Sequence, residues 1–292
     1  MELTVCTTDE DYEAWRRVRV AVVPYERADT VAEMRARDSA DRLMLLATED
    51  GLVVGSGAAA RSNIAGGGYV SPMVLEEHRR RGHGTLLLRA LADHVAGLGV
   101  ADLRAMTDDE GSLAFAHRFG FLEVDQQVEQ VRGVGDEPEP GPPPEGVEVV
   151  TTDERPDLWA ASYGGFGRQA LADFAVFQPI EVSAEQWREE WAGDPMFLAV
   201  HDGAVVGCAG LDRDADHPER GENALTAVRH DWRGRGLAVH LKRRTLRWAA
   251  DHGLTEIYTW TQVGNRPMLT LNERLGYVTG RTSSTLSRPS PL

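Results

Sequence analysis

Apolar positions after residue 236 recur every three or four residues, the spacing that places side chains on one face of an α-helix. This stripe consists of Leu237, Leu241, Thr245, Trp248 and Ala249. A similar stripe after residue 84 consists of Leu87, Leu91, Val95 and Leu98. Glycine, the preferred residue just past a helix end, follows at Gly253 and, in the first stripe, at Gly97 or Gly99. The pattern predicts two amphipathic helices, each covering a hydrophobic core.

Shorter apolar runs on either side of an Asp-Gly pair predict two β-hairpins. One is "LATEDGLVVGSGAA", from Leu46 to Ala59, and the other is "LAVHDGAVVGCAGL", from Leu198 to Leu211. Each half of the chain then reads strand, helical region, hairpin, strand, glycine-rich turn, helix, strand, helix, strand.

The two halves are copies of one pattern. The hairpins match, "HRRRGHG" matches "WRGRGLA", and "FAHRFGF" matches "LNERLGY", in the same order along the chain. Residues 133–146, "GVGDEPEPGPPPEG", are rich in Pro, Gly and acids, which predicts a linker without helix or inner strand. We therefore expect two α/β domains with mixed sheets, at residues 1–132 and 147–292.

Charge and composition narrow the functional classes. The net charge of −15 argues against nucleic acid as a partner, and the hydrophobic fraction of 42% is enough for real cores. No apolar run reaches about 18 residues, so no membrane span is expected, and "MELTVCTTDEDYEAW" is not a secretory leader. Cys6 and Cys208 form neither a disulfide framework nor a zinc spacing. A cytoplasmic protein without membrane contact is expected.

The turn "RGRGLA" leads from a strand ending at Val228 directly into the second amphipathic helix. Gly234 and Gly236 allow a tight turn, and the first N–H groups of the helix then point outward with the positive end of its dipole. Such a turn suits a pyrophosphate, to which Arg233 and Arg235 add charge-assisted hydrogen bonds. An ordinary strand-to-helix turn remains the alternative.

Other glycine-rich motifs do not fit this turn. A Walker loop is excluded because the chain has no G-x-x-x-x-G-K-[ST], and "RGRGLA" lacks the third glycine of a Rossmann fingerprint. A disordered RGG-type segment is disfavoured because the turn opens an amphipathic helix.

The spacing Arg233–x–x–Gly236–x–Ala238 resembles the [QR]-x-x-G-x-[GA] signature of the GNAT family of N-acetyltransferases. Arg79–x–x–Gly82–x–Gly84 in the first half matches it as well, and "NRPMLTLNERLGY" resembles the family's last helix. The resemblance covers nearly the whole chain as a tandem pair, with the two-domain layout of mycothiol synthases. It implies two tandem GNAT-type domains, each with a splayed mixed sheet flanked by helices.

The resemblance also implies an acetyl-CoA co-substrate that lies between two splayed strands, with its pyrophosphate on the glycine turn. No metal is expected. The implied contacts in the second half are Ala227, Val228, Arg233, Gly234, Arg235, Gly236, Leu237, Ala238, Asn265 and Met268. The counterparts in the first half are Val74, Arg79, Arg80, Arg81, Gly82, His83 and Gly84. Asn265 also suits a helix N-cap with Pro267 inside the first turn, and Met268 suits either the cofactor arm or the core.

Direct attack on a thioester requires a neutral amine, and a free alkylamine, with a pKa of about 10.4, is mostly protonated at neutral pH. Some family members carry a Glu eleven positions before the signature, which here is Glu222; a solvated carboxylate at a strand end is the alternative. The same count in the first half reaches Gly68. We therefore expect a catalytic second domain and a degenerate first one.

The family's acidic Tyr in the last helix is replaced here by Asn272, and by Ala116 in the first half. An amide is no acid at neutral pH, but Asn272 could donate a hydrogen bond to the departing sulfur. Tyr258 and Tyr163 are further possibilities, and the thiolate can also leave without full protonation.

The acceptor is expected to meet the helical stretch of residues 159–191, which mixes aromatic side chains with acids. These are Tyr163, Phe166, Phe174, Phe177, Asp173, Glu181 and Glu185. An amphipathic helix pair is the alternative. The sequence favours acetylation of a small-molecule amine; a non-catalytic acyl-CoA-binding module and a protein N-acetyltransferase are the rivals. Monomer and homodimer both remain open.

Overall fold

The computed structural model describes residues 2–63, 66–174 and 180–292. It forms two compact units. The first contains Met1–Gln126 and Ser283–Leu292, and the second contains Gln127–Thr282. No helix within the described residues is long and apolar enough to cross a membrane.

The first unit follows the predicted order of elements. These are β1 (Glu2–Val5), α1 (Asp9–Val22), α2 (Val31–Ala36), β2 (Leu43–Glu49), β3 (Leu52–Arg61), β4 (Gly67–Val74), α3 (His83–Gly97), β5 (Asp102–Thr107), α4 (Glu110–Arg118) and β6 (Leu122–Gly133). Strands β1 to β4 pair antiparallel with their neighbours, whereas β4 and β5 are parallel. The hairpin turn is confirmed, with positive φ at Asp50 (52°) and Gly51 (79°).

The second unit repeats this order after residues 134–147, which form neither helix nor strand. Its elements are β7 (Glu148–Thr151), α5 (Pro156–Ala161), α6 (Arg168–Phe174), α7 (Ala184–Glu190), β8 (Met196–His201), β9 (Ala204–Arg213), β10 (Arg220–Val228), α8 (Leu237–Asp251), β11 (Glu256–Gln262), α9 (Arg266–Arg274) and β12 (Val278–Pro289). A single π-helical turn, Tyr163–Gly167, joins α5 to α6. The α/β class with a mixed sheet is therefore confirmed for both units.

The last strand of each sheet comes from the other half of the sequence. Residues 127–133 of β6 pair antiparallel with β11 in the second unit, and residues 284–289 of β12 pair antiparallel with β5 in the first. The compact units therefore differ at both ends from domains cut at 132 and 147. Because the halves are copies, the edges next to β5 and β11 are similar. The strand pattern in the sequence therefore does not tell whether β6 or β12 pairs with each edge.

The splayed strands are confirmed in both units. Parallel pairing joins Gly67–Tyr69 of β4 to Asp102–Arg104 of β5, although both strands run further. In the second unit, parallel pairing joins Arg220–Glu222 of β10 to Glu256–Tyr258 of β11. The remaining residues of these two strands, all of them described, are not paired with each other. Each sheet thus opens a gap beyond its last paired residues.

The predicted helix stripes form the cores. Leu237, Leu241, Thr245 and Ala249 of α8 are each at most 1% exposed, and Leu87, Leu91 and Val95 of α3 are fully buried. Each helix packs against the hairpin strands of its own sheet, α3 on β2 and β3 and α8 on β8 and β9.

Candidate functional site

The glycine turn of the second unit leads directly into the start of α8. After β10, a 3-10 turn at His230–Trp232 leads to Gly234 and Gly236, whose φ angles are 75° and 80°. Gly236 is the N-cap of α8 and has no side chain to occupy the first N–H groups. These donors and the helix dipole favour a phosphate group at this position.

Arg233 and Arg235 have different positions at this turn. The Nε of Arg233 donates to the carbonyl of Val228 at 3.1 Å, and its guanidinium pairs with Asp173 of α6. Arg235 is exposed, lies 4.4 Å over the ring of Trp232 and donates to the carbonyl of Asp231. Both side chains are exposed, but the guanidinium of Arg233 already pairs with a carboxylate and braces the turn, so Arg235 is the better placed of the two to meet a phosphate.

The first unit repeats the brace but differs in the rest of the turn. The Nε of Arg79 donates to the carbonyl of Val74 at 3.1 Å, as Arg233 does to Val228. Arg80 has φ 64° where the second unit has a glycine, and φ in this range is strained for a long side chain. Gly82, with φ 94°, is the N-cap of α3. A Cβ on Gly84 would lie 3.6 Å from Phe115, an ordinary contact, so the alanine found at position 238 would fit there.

Glu222 lies at the last paired position before β10 and β11 separate. Its partner on β11 is Tyr258, whose hydroxyl donates to Oε2 of Glu222 at 3.1 Å. On the other side, Asp212 of β9 is its cross-strand partner. Arg220 stacks 4.9 Å over the Tyr258 ring and pairs with Glu256 at 2.6 Å. A half-buried carboxylate held by a tyrosine hydroxyl thus lies at the position where the two strands separate.

A bulge in β10 changes which residue of the first unit is equivalent to Glu222. Pairing of β9 with β10 shifts by one residue between Asn223 and Thr226, whereas β3 and β4 pair without a shift. Counting back from the turn is therefore wrong by one position, and the residue equivalent to Glu222 is Tyr69, opposite Arg104.

Gly68 has a packing role instead. A Cβ there would lie 2.3 Å from Cγ1 of Val95, so α3 packs too closely for any side chain. The expectation that the first unit has no carboxylate at this position still holds, since the position belongs to Tyr69.

Asn272 is fully buried on α9. Its Nδ2 donates to Oε1 of Gln130 at 2.8 Å and to Oγ1 of Thr261 at 3.4 Å. This differs from the expectation that Asn272 donates to a departing sulfur, because both amide hydrogens already have acceptors. Ala116, its counterpart on α4, is also buried.

Two further predicted contacts, Asn265 and Met268, lie at the start of α9. Asn265 is the N-cap of α9, accepting from the N–H of Met268 at 3.3 Å, and Pro267 follows in the first turn. Met268 is half-buried. This confirms the capping role of Asn265.

A cleft of about 500 Å³ opens among the helices of the second unit. Its lining residues are Tyr163, Arg168, Leu171, Ile180, Glu181, Val182, Ser183 and Gln186. Phe166 is core rather than cleft, at 1% exposure, while Phe174 is exposed. Phe177, also expected in this region, lies outside the described residues. The predicted acceptor stretch therefore serves both the core and the cleft.

Two groups near the site make contacts that the sequence did not predict. Asp173 binds Arg233 and also His230, whose Nε2 lies 3.0 Å from Oδ1. On the opposite face of β10, Lys242 donates to Oδ1 of Asn223 at 2.7 Å. Burial lowers the pKa of Lys242 to about 7. Lys242 is the single lysine of the chain and lies beside the apolar stripe of α8, which was the signal in the sequence for its burial.

Comparison with known proteins agrees with this geometry. A sequence model of the acetyltransferase (GNAT) family matches residues 8–121 and 166–277. A mycothiol acetyltransferase from Thermomonospora curvata is 30% identical over 260 residues, covering 85% of this chain and 82% of the relative. Another from Brachybacterium faecium is 29% identical, covering 75% and 68%. A solved tandem GNAT protein from the clavulanic acid biosynthesis pathway has the same fold, with a TM-score of 0.77 at 19% identity, covering 100% of this chain and 99% of the other.

Proposed function

The chain belongs to the acetyltransferase (GNAT) family and is an N-acetyltransferase, and on this premise we propose that its second unit acetylates a primary amine of a small molecule. The observation that carries the proposal is Glu222, held by Tyr258 at the point where β10 and β11 separate. A carboxylate at this point can take a proton from an amine that enters the gap.

The co-substrate of the family is acetyl-CoA, and we assign its pyrophosphate to the glycine turn of the second unit. The N–H groups at the start of α8 and the guanidinium of Arg235 supply donors for it. Backbone of β10 between Asn223 and Val228 has no β11 neighbour, so its N–H groups on that side can polarise the thioester carbonyl.

The reaction proceeds by direct transfer. The amine arrives mostly protonated, and Glu222 accepts its proton, with Asp212 beside it adding negative charge that attracts the ammonium. The neutral amine nitrogen then attacks the thioester carbon, the C–S bond breaks with its electron pair going to sulfur, and the second proton on the nitrogen passes to the CoA thiolate or to water. A thiol pKa of about 8.5 lets the thiolate leave without full protonation. Asn272 has no part in this step because its donors are already used.

No chemistry is assigned to the first unit. Tyr69 and Arg104 occupy the positions of Glu222 and Tyr258, and β4 lacks the bulge of β10. Neither side chain is an anionic base at neutral pH. The first unit then serves as a structural copy.

The acceptor is proposed to enter beside the cleft of the second unit, with Glu181 and Gln186 available to bind a cation or hydroxyl groups. The relatives named mycothiol acetyltransferase support a small-molecule acceptor over a polypeptide. An amino sugar or a similar amine-bearing precursor fits this size of cleft.

Release of CoA thiol tests the proposal, using amino sugars, aliphatic amines and peptides with free N-termini as acceptors. The protein itself gives little background, because Cys6 and Cys208 are buried and burial raises the pKa of each to about 12. We expect turnover with small amines and a loss of kcat of about 100-fold or more in Glu222→Gln. The matched control is Glu148→Gln, an exposed glutamate on β7, which should behave as wild type.

Three outcomes would contradict the proposal. Wild-type kcat in Glu222→Gln would remove the proposed base. Turnover of peptides alone would make the chain a protein acetyltransferase. Binding of acetyl-CoA without turnover of any acceptor would indicate an acyl-CoA-binding module.

A further inference from the structure

Three potential metal ligands converge beneath the glycine turn of the first unit. They are Glu49 at the end of β2, His78 in the 3-10 turn after β4, and His83 at the start of α3. We propose that these three side chains bind one divalent transition metal of the zinc class.

The distances are close to those of a formed site. Oε2 of Glu49 lies 3.5 Å from Nε2 of His83 and 3.9 Å from Nδ1 of His78, and all three ligand atoms lie within 4.8 Å of one another. Two ligand atoms bound to a tetrahedral zinc at about 2.0–2.1 Å are about 3.3 Å apart. Small side-chain rotations would therefore bring all three atoms to one ion. Two imidazoles and one carboxylate are a ligand set that zinc accepts, leaving a fourth position for water.

The burial of the histidines also points to a ligand. His83 is only 3% exposed. Nδ1 of His78 is buried and has no hydrogen-bond partner among the described residues. A buried polar nitrogen without a partner is unfavourable, and a metal ion would satisfy it.

The second unit shows that the fold does not require this cluster. The equivalent positions are His201, Trp232 and Leu237, where His201 and Trp232 rings are 4.5 Å apart. Trp232 and Leu237 belong to the hydrophobic core there. The second unit therefore fills this position mainly by apolar packing, whereas the first unit places three potential ligand atoms there.

One positive charge and the positive end of a helix dipole oppose a cation at this position. Nη1 of Arg81 lies 3.5 Å from Oε2 of Glu49, and His83 is in the first turn of α3, at the positive end of its dipole. The Arg81 side chain is 55% exposed, so it can turn into solvent when the metal binds. The metal would then replace Arg81 as the partner of Glu49, and it would join the hairpin to the start of α3.

Metal titration of the full, tag-free chain after treatment with a chelator tests the proposal. We expect one equivalent of Zn²⁺ to bind and to raise the unfolding temperature, and one equivalent of Co²⁺ to give the visible absorption of a tetrahedral site. Glu49→Gln and His83→Leu, the latter using the residue of the second unit, should each weaken binding at least tenfold. Arg81→Ala should strengthen it.

His117→Ala is the matched control, because His117 is an exposed histidine on α4. It should bind metal as wild type does. Circular dichroism of each variant separates loss of ligand from loss of fold. Binding that is not saturable at one equivalent, or that is unchanged in a folded Glu49→Gln variant, would overturn the assignment.

Discussion

The hydroxyl of Tyr258 lies 3.1 Å from the carboxylate of Glu222, across the last pair that joins β10 to β11. Tyr258 itself is fully buried, so this contact fixes the carboxylate from within the sheet. At the equivalent pair of positions in the first unit, Tyr69 faces Arg104, so the two gaps differ in chemical type there.

Tyr258→Phe removes this positioning contact while it keeps the ring. A hydrogen bond to a charged group is worth about 1.5–3 kcal/mol, so we expect kcat to fall about tenfold or more. The KM for acetyl-CoA should stay near the wild-type value, because the glycine turn is untouched. Steady-state kinetics check this; a change confined to KM would contradict a positioning role.

Arg233→Lys tests the brace of the glycine turn. A lysine has no planar guanidinium and cannot donate to the Val228 carbonyl and the Asp173 carboxylate at the same time. We therefore expect the KM for acetyl-CoA to rise about tenfold. The matched substitution Arg79→Lys alters the same bond in the first unit and should leave the kinetics unchanged. An equal effect of both substitutions would show that the first unit also contributes to acetyl transfer.

Lys242 predicts a dependence of stability on pH. Its pKa is lowered by burial to about 7, below its value of about 10.4 in the unfolded chain. Between these values the unfolded state binds more protons, so the free energy of unfolding should rise as the pH rises from about 7 to about 10. Lys242→Met should flatten this dependence and raise stability at pH 7 by about 1–4 kcal/mol. Urea unfolding across this pH range is the measurement, and an unchanged slope in the variant would contradict the assignment.

Leu286→Ala tests the exchanged strand. Leu286 is 1% exposed and packs in the core of the first unit, although it lies near the end of the chain. Its truncation should destabilise that unit by about 2–5 kcal/mol and speed amide exchange in β5. Leu122→Ala, at a residue that is 68% exposed, is the control. Faster exchange confined to β11 would show that β12 belongs with the second unit.

Sequence reasoning was accurate where the signal is local. The Asp-Gly turns, the stripe ending near Ala249 and the cap at Asn265 each depend on residues within a few positions of one another. These features set the fold of each copy and the place of the glycine turn.

It failed where the outcome depends on another strand or helix. The bulge between Asn223 and Thr226 shifts the register by one residue, which no count along the chain reveals. Asp173 reaches Arg233 because α6 packs near the turn, and the amide of Asn272 is engaged by Gln130 of β6 together with Thr261 of β11. Tertiary contacts such as these cannot be derived from spacing.

The exchange of last strands means that the acidic linker is no place to divide this protein. A fragment ending at residue 132 would leave the outer edge of β5 without its β12 neighbour and would carry six β6 residues, 127–132, without their β11 neighbour. Bare edges of this kind recruit other chains, so such a fragment would be prone to self-association. A working single-copy enzyme would instead need its own final strand grafted back beside its own sheet, a rearrangement that cutting alone does not provide.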